Sequence, residues 1–427
     1  MLALLGVLTI SLLLFLILTK KTSAVVALIL VPVLTGIIAG KTSELPQMIS
    51  EGISSIAPTG MMFVFAILFF GVLMDAGTFK PIISKLLRLA GNDPLKIVMV
   101  TAILAMLVHL DGSGAVTFLV VIPAMLPVYD QLGMSRLTLA STTALAAGTM
   151  NILPWGGPTI RAASALEVSV TELFNPVFIP FLAGLLTVLG IAYFLGKKER
   201  INVPLSDSIR IDGSHADDIR LPKWKFLVNI WLILLAVTSI VLGWAPPYAV
   251  FMIAFGIALV FNFPKVSDQK ERVDAHAKEA LLMATILFAA GCFTGILKGS
   301  GMMEAMADGI QVILPEFMGR QLPLLTGLLS MPASLIFDPD SFYFGILPLL
   351  ASTAESFQVS GLEVGQAAIF GQMTTGFPVS PLTGSTYLLV GLAGVDLGDH
   401  QKKTIPLAFL VTLVMLLVAI LIGVIQV

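Results

Sequence analysis

Three aspartates interrupt stretches of sequence that are otherwise apolar. Asp111 divides the stretch 96–129, and Asp338 and Asp340 divide the stretch 321–351. An ionised carboxylate at the centre of a bilayer costs about 2.5–3.5 kcal/mol, so such a residue usually marks an ion or substrate path. We expect Asp111, Asp338 and Asp340 to take up a coupling proton, or to ligate a hard cation through oxygen. The alternative is that they lie in water at the far interface.

The residues beside these acids form two polar turns with candidate substrate ligands. The first turn holds His109, Gly112, Ser113, Gly114 and Thr117, and the second holds Ser341. Glycine lets a ligand approach the backbone closely, and His109 is a further candidate for the coupling proton. The spacing of His109 and Ser113 also allows an intramembrane serine hydrolase. However, the second turn has Phe337 where a histidine would be needed, and nothing supplies an evident oxyanion hole.

Prolines and glycines predict that two helices, over 137–166 and 361–392, are broken. The breaks contain Pro154, Gly156, Gly157 and Pro158 in the first helix and Pro378, Pro381 and Gly384 in the second. The interior of a regular helix does not accommodate such a set. The N-terminus of each resulting half-helix offers free N–H groups and a partial positive charge, which suits an anion. Polar side chains that could bind a substrate at these breaks are Asn151, Thr159, Ser380, Thr383 and Ser385.

Arg161 is the one basic residue just beyond the first break. Its guanidinium is the natural partner of a substrate carboxylate, because two parallel N–H groups match the two carboxylate oxygens. The alternative is an interfacial arginine that extends to lipid headgroups. The second copy has Tyr387 or its neighbours at the matching place, so the site is asymmetric in charge.

Composition places these residues in a membrane. Of 427 residues, 57% are hydrophobic and 12% are charged, with a mean hydropathy of +0.98, whereas a soluble chain carries about 25% charged residues. The apolar runs are long and uncharged, which predicts an all-α polytopic membrane protein. The net charge is −2, and no basic tract suggests nucleic acid.

We expect ten spans, near 1–19, 23–40, 59–77, 137–166, 174–195, 226–244, 247–263, 279–297, 361–392 and 404–426. The stretches 96–129 and 321–351 have arms of about 12–16 residues, short of the roughly 20 that a span needs. We therefore interpret these two stretches as re-entrant hairpins with their tips at membrane depth, where protein or a water-filled cavity surrounds them.

Weak internal matches indicate a duplicated chain. GVLMDAG at 71–77 recurs as GILKGSG at 295–301, an offset of 224, and Pro154 meets Pro378 at the same offset. We assign residues 1–195 to a first repeat, 196–225 to a cytoplasmic linker and 226–427 to a second repeat. Duplicated halves with broken apolar segments at matching places are typical of secondary transporters, which bind their substrate at the breaks.

The distribution of charge predicts how the halves are oriented. With the N-terminus outside, 20 of the 24 Lys and Arg lie on the inner side, as the positive-inside rule requires. Each half then has five spans and one hairpin, so the repeats are inverted. Amphipathic pieces at 79–90 and 302–313 are predicted to lie in the interface. Four further titratable residues lie at or beyond helix ends and are expected at the surface: Asp75, His215, His276 and His400.

Three segments resemble the metal–citrate/proton symporter family, CitMHS, of the ion transporter superfamily. They are HLDGSGAVTFLVVIPAMLP (109–127), NILPWGGPTIRAA (151–163) and FDPDSFYFGILP (337–348), and the resemblance extends over essentially the whole chain. It implies symport of protons with citrate complexed to Mg²⁺ or Ca²⁺ across a bacterial inner membrane, with no permanently bound cofactor. It also implies a homodimer in which a bundle holding both hairpins and both broken helices moves against a fixed scaffold, as in an elevator.

The resemblance places the site on 111–114, 151–161, 338–341 and 380–385. With a metal–citrate substrate, it implies that Asp338 and Asp340 ligate the divalent cation together with carboxylates of the substrate. The sodium-coupled dicarboxylate branch of the superfamily has Ser-Asn-Thr at its hairpin tips, whereas this chain has acids, which favours protons over sodium. Two other kinds of carrier stay open: one for gluconate and one for a dicarboxylate, each without metal. A channel and the serine hydrolase are alternatives from other classes.

Overall fold

The computed structural model describes residues 1–202 and 221–426, and within these ranges every regular element is a helix. The first half contains α1 (Leu2–Leu18), α2 (Ala24–Ile38), α3 (Leu45–Asp75), α4 (Lys80–Ala90), α5 (Pro94–Val108), α6 (Gly114–Gln131), α7 (Arg136–Met150), α8 (Gly157–Leu166), α9 (Val170–Phe174) and α10 (Phe178–Asn202). The second half contains α11 (Lys223–Val241), α12 (Pro247–Asn262), α13 (Val266–Gly299), α14 (Met302–Ile313), α15 (Glu316–Arg320), α16 (Leu322–Ala333), α17 (Leu347–Ser356), α18 (Gly361–Ala368), α19 (Gly384–Ala393) and α20 (Leu397–Leu421).

The all-helical fold class is confirmed. In the described part of the chain, seven helical segments are long and apolar enough to cross a membrane, judged by length and composition. Five shorter apolar helices of 10–17 residues accompany them. The predicted breaks separate α7 from α8 and α18 from α19, and short turns separate the paired arms of each predicted hairpin.

The first hairpin has longer arms than predicted. The segment Pro94–Asp111 and the helix Gly114–Gln131 have 18 residues each and are long enough to cross a membrane. In the second hairpin, α16 has only 12 residues. Short arms are therefore present in the second hairpin and not in the first, because the helical segments of the first include its polar turn, ending at Asp111 and starting again at Gly114. The re-entrant path of the first hairpin stays a prediction.

Two long helices, α3 with 31 residues and α13 with 34, cross each other in the middle of the fold. Glycines let their backbones touch: a Cβ on Gly52 would lie 2.0 Å from the carbonyl oxygen of Gly291 and 2.9 Å from Cα of Gly295. Gly71, near the end of α3, packs against His276, near the start of α13. The two helices therefore run antiparallel, as corresponding spans of an inverted repeat would. The inversion itself stays a prediction, as do the repeat boundaries.

The helices form two groups around this crossing. The first group consists of α1, α2, α3, α11, α12 and α13, and α3 and α13 pack against α12 and α2, respectively. The second group contains both hairpins, both broken helices, α10 and α20. Helix α14 packs against α1 of the first group and α17 of the second. The predicted linker 196–225 is described only at its ends, where α10 extends to Asn202 and α11 begins at Lys223, and 203–220 lie outside the described residues.

Candidate functional site

The first hairpin tip is a tight polar turn between α5 and α6. A single turn of 3₁₀ helix, His109–Asp111, leads to Gly112, whose φ of 76° is a left-handed conformation that glycine adopts without strain. The Asp111 carboxylate accepts the backbone N–H of Ser113 at 2.8 Å, and the Ser113 hydroxyl caps the N-terminus of α6. Gly114 faces the ring of Phe377, which lies in the second break.

The second tip uses its first aspartate as a more extensive cap. The Asp338 carboxylate accepts the backbone N–H groups of Asp340 and Ser341, both at 3.0 Å, and the hydroxyl of Ser341 at 2.7 Å. The chain then continues as a π-helical turn, Ser341–Ile346, before α17. Such turns are frequent at functional sites. Asp340 is left with its side chain directed out of the turn.

The Asp340 side chain forms an ion pair with Arg161 of α8. The Nε atom of Arg161 donates to Oδ1 of Asp340 at 2.7 Å, and the two side chains are only 7% and 13% exposed. The same guanidinium reaches the carbonyl of Gly157 at 3.3 Å and the sulfur of Met283 at 3.7 Å. Arg161 is therefore buried, and the alternative that it extends to lipid headgroups is wrong.

The first break is held by its own backbone and by the first tip. A Cβ on Gly156 would lie 2.1 Å from the carbonyl oxygen of Asn151, so only glycine fits there. The hydroxyl of Thr159 donates to the carbonyl of Ile152 at 2.7 Å, and Pro158 lies in the first turn of α8, where no N–H is needed. The indole of Trp155 donates to the carbonyl of Leu110 at 2.7 Å. The break thus packs directly onto the first tip.

Asn151 connects the first tip with both breaks. Its Nδ2 donates to the carbonyl of Met373 at 2.8 Å, so its Oδ1 faces Nε2 of His109 at 3.4 Å. Nδ1 of His109 lies 2.8 Å from the hydroxyl of Thr117. Both ring nitrogens therefore face residues other than Ser113, and the His109–Ser113 dyad of the hydrolase alternative is not formed.

The second break packs onto the second hairpin. The backbone N–H of Met373 donates to the hydroxyl of Ser334, and the hydroxyl of Tyr343 donates to the carbonyl of Gln372. Ser380 donates to the carbonyl of Ser334. Met373 has a φ of 52°, which is uncommon outside glycine, and side chains bind both its N–H and its carbonyl. This peptide is clamped between the two halves of the chain.

The remaining predicted residues of the second break are not brought onto the tips by hydrogen bonds. The hydroxyl of Thr383 donates to the carbonyl of Phe377 at 3.0 Å, within the break. The carbonyl of Pro381 accepts the hydroxyl of Tyr387 at 3.1 Å. Gly384 opens α19 with no atom within 4 Å of a Cβ position, and Ser385 is partly buried in the first turn of that helix.

Among the described residues, His, Cys, Asp and Glu side chains form no cluster of three that could hold a metal ion. Asp338 and Asp340 alone would leave most coordination positions of a hard cation to be filled by other oxygen ligands. A carried cation would thus need the oxygens of its own substrate as ligands. A groove of about 480 Å³, lined by residues such as Gln311, Glu316 and Gln358, lies at the ends of α14 and α17, away from the tips.

One expected surface residue is part of the site. His400 is fully buried, and its Nε2 lies 2.9 Å from the carbonyl of Pro378, so it supports the second break. The sequence places it near a helix end, but α20 begins at Leu397 and packs against this break. His276 contacts Asp75 at 3.0 Å, with both side chains 22% exposed. His215 lies outside the described residues.

Several contributing residues were missed from the sequence. Ser334, Gln372, Met373 and Tyr343 connect the second tip with the second break through the bonds above and one from Ser334 to Gln372. No residue of this set is charged, and none differs in type from an ordinary helix residue, so only the proximity of Gln372 and Met373 to the predicted break could have indicated them.

The two hairpins and the two broken helices meet around buried polar groups, and this arrangement defines a membrane carrier. The fold is similar to that of the YdaH transporter of Alcanivorax borkumensis, with a TM-score of 0.62, 14% identity and coverage of 90% of this chain and 89% of the other. It is also similar to that of MtrF of Neisseria gonorrhoeae, with a TM-score of 0.57, 13% identity and coverage of 90% and 85%.

Sequence comparison gives the family. Residues 13–371 match the family CitMHS, citrate transporter. Over the full length of both chains, the sequence is 43% identical to a Citrate transporter and 40% identical to a Mg(2+)/citrate complex secondary transporter, both of Bacillus subtilis (strain 168). It is also 36% identical, again over both full chains, to the Uncharacterized transporter YraO of the same organism. The chain belongs to the CitMHS family of secondary citrate transporters, and it is a multi-pass protein of the bacterial inner membrane. The predicted resemblance is confirmed.

Proposed function

We propose that this protein imports citrate as a complex with a divalent cation and that protons drive the uptake. The observation that carries the proposal is the meeting of two acid-capped hairpin tips with two broken helices, beside the buried guanidinium of Arg161. Helix ends and a guanidinium suit the carboxylates of citrate, and acids suit a cation. The 40% identical relative named as a Mg(2+)/citrate complex transporter supports this substrate.

Charge favours the complex over bare citrate. A citrate trianion with one divalent cation has a net charge of −1, and aspartates near the cation are then tolerated. The same aspartates would repel three uncompensated carboxylates. Mg²⁺ and Ca²⁺ are both suitable cargo, because oxygen ligands suit either ion. Gluconate or a dicarboxylate without metal is the alternative substrate.

His109 is the proton site of this proposal. Because Oδ1 of Asn151 only accepts, Nε2 of His109 carries a hydrogen in either charge state. When Nδ1 is unprotonated, the Thr117 hydroxyl donates to it. When Nδ1 is protonated, it donates to Thr117, which turns its own hydrogen to the carbonyl of Ser113, 2.8 Å away. All these polar atoms keep a partner in both states.

The acids complete the proton path of this proposal. Asp111 lies on the same single turn of helix as His109. Asp111 is only partly buried, and in this proposal it exchanges protons between water and the first tip. Asp338 and Asp340, in the second tip, are assigned in this proposal to the carried cation.

The two groups of helices support an elevator motion. The second group holds the tips, the breaks and Arg161, and it contacts the α3–α13 pair through α8 and the first tip. We propose that the second group moves against the first while α14 links the two. The family resemblance leads us to include a homodimer in which the first groups form the fixed scaffold.

The test is uptake of labelled citrate by proteoliposomes with an inward proton gradient. We expect uptake in Mg²⁺ or Ca²⁺ and at least about a tenfold loss in EDTA, because the uncompensated carboxylates are repelled. Uptake that EDTA does not reduce would exclude the metal complex but keep the carrier. Steady conductance without saturable uptake would identify a channel.

A second arm tests His109. Intramembrane histidines can act as proton relays. His109→Gln cannot bind the coupling proton, so we expect this variant to exchange citrate between preloaded vesicles without accumulating it. Thr117→Val, which removes the hydroxyl that serves both charge states, is the matched variant and should weaken accumulation less. Accumulation by His109→Gln at the wild-type level would show that the proton binds elsewhere.

A further inference from the structure

Arg161 already holds a carboxylate, at the place where the proposed function puts a carboxylate of the substrate. Its Nε donates to Oδ1 of Asp340 at 2.7 Å, and both side chains are almost completely buried. Its Nη1 donates to the carbonyl of Gly157 at 3.3 Å. A Cβ on Gly157 would lie 3.1 Å from that Nη1, so glycine at this position gives the guanidinium room to lie along the start of α8.

Asp340 differs from the other two acids of the tips in what it binds. Asp111 and Asp338 accept hydrogen bonds from the turns that contain them. Asp340 binds a side chain 179 residues away in the other half of the sequence. Its own N–H is fixed by Asp338, so the second tip presents this carboxylate to α8 in a defined position. The pair can be separated without dismantling the turn.

We propose that Asp340 occupies the place of a substrate carboxylate at Arg161, and that the exchange of one for the other is what makes transport require a metal ion. This inference rests on the proposed function. When citrate takes the guanidinium, Asp340 is left as a buried carboxylate without a counter-charge, which is strongly unfavourable. A divalent cation carried by citrate supplies that counter-charge. Bare citrate brings further negative charge instead, and repulsion of this kind is how a site rejects a wrong ligand.

Citrate binding to the purified protein, with Mg²⁺ or with EDTA, tests the exchange. Wild type should bind citrate much more weakly in EDTA. In Asp340→Asn, which keeps the shape and a hydrogen-bond acceptor for Arg161, citrate affinity in EDTA should rise by about tenfold or more, because the repelling charge is gone. Asp340→Glu, which keeps the charge, should keep the requirement for the metal.

Because Asp340→Asn leaves the buried Arg161 without a counter-charge, a double variant is included. Arg161→Gln with Asp340→Asn removes both charges, so it contains no unpaired buried ion. It should bind citrate weakly and with nearly equal affinity in Mg²⁺ and EDTA. The exchange would be overturned if Asp340→Asn or the double variant kept the wild-type ratio of citrate affinity in Mg²⁺ to citrate affinity in EDTA. Wild-type protein that binds citrate equally in Mg²⁺ and EDTA would instead overturn the metal complex of the proposed function.

Discussion

In the first hairpin tip, Asp111 accepts one backbone N–H and a regular α-helix follows, whereas in the second tip Asp338 accepts three donors and the chain continues as a π-helical turn. Both tips therefore use an aspartate to cap the turn. The second tip adds Asp340, which binds outside the turn. The cap is common to both tips, whereas Asp340 adds an ion pair with Arg161 to the second tip.

The two breaks differ as the two tips do: the second has more contacts with other parts of the chain than the first. The first break is short, between Met150 and Gly157, and the carbonyl of Asn151 lies against Gly156. The second runs from Ala368 to Gly384 and is bound by both the second hairpin and α20. Arg161 follows only the first break. The charged partners of the site thus come from opposite halves, and neither half alone could form the ion pair.

The breaks are compared most directly by adding a methyl group to each. Gly156→Ala would place Cβ 2.1 Å from a backbone oxygen, and we expect a loss of about 3 kcal/mol of stability, because the break must shift. Gly384→Ala meets no atom within 4 Å and should stay within about 1 kcal/mol of wild type. Thermal unfolding of the purified variants measures both. Equal losses would show that the breaks are equally constrained.

Removing each capping aspartate compares the tips. Asp338→Ala leaves two N–H groups and a hydroxyl without their acceptor, and we expect a loss of about 2 kcal/mol; Asp111→Ala leaves one N–H and should cost about 1 kcal/mol. The midpoints of unfolding give the order. Asp338→Asn and Asp111→Asn, which keep an acceptor oxygen, should be milder than the alanine variants. A greater loss from Asp111→Ala would contradict the greater capping role of Asp338.

Sequence alone predicted the elements of this fold well. Proline and glycine located both breaks because their effect on a helix is local. Acids in apolar surroundings located both tips because burial of charge is costly wherever it occurs. These signals need no knowledge of which segments meet.

What the sequence could not give was the pairing. Arg161 and Asp340 were both candidates, but they are 179 residues apart, and nothing in their surroundings indicates that each is the other's partner. His400 was placed at the surface because it lies near a helix end, whereas the packing of α20 against the second break buries it. Such contacts depend on tertiary packing, and no local pattern encodes them.

The smallest expected effect tests whether the tips are related by an inverted repeat. Asp111 and Asp338 are 227 positions apart, and with this offset Ser113 corresponds to Asp340. Pro154 and Pro378 are 224 positions apart, and with that offset Arg161 corresponds to Ser385. Ser113 and Ser385 are thus the counterparts of Asp340 and Arg161 in the opposite halves. Ser113 caps α6 and Ser385 lies in α19, and these two helices pack together. Introducing Ser113→Asp and Ser385→Arg together should recreate an ion pair there, with a coupling energy of about 1 kcal/mol in a double-mutant cycle. The cycle with Ser385→Gln, which adds length without charge, should show no coupling. A coupling energy of zero with Ser385→Arg would mean that the two halves are not superimposable at the site, and that the asymmetry extends from the side chains to the backbone.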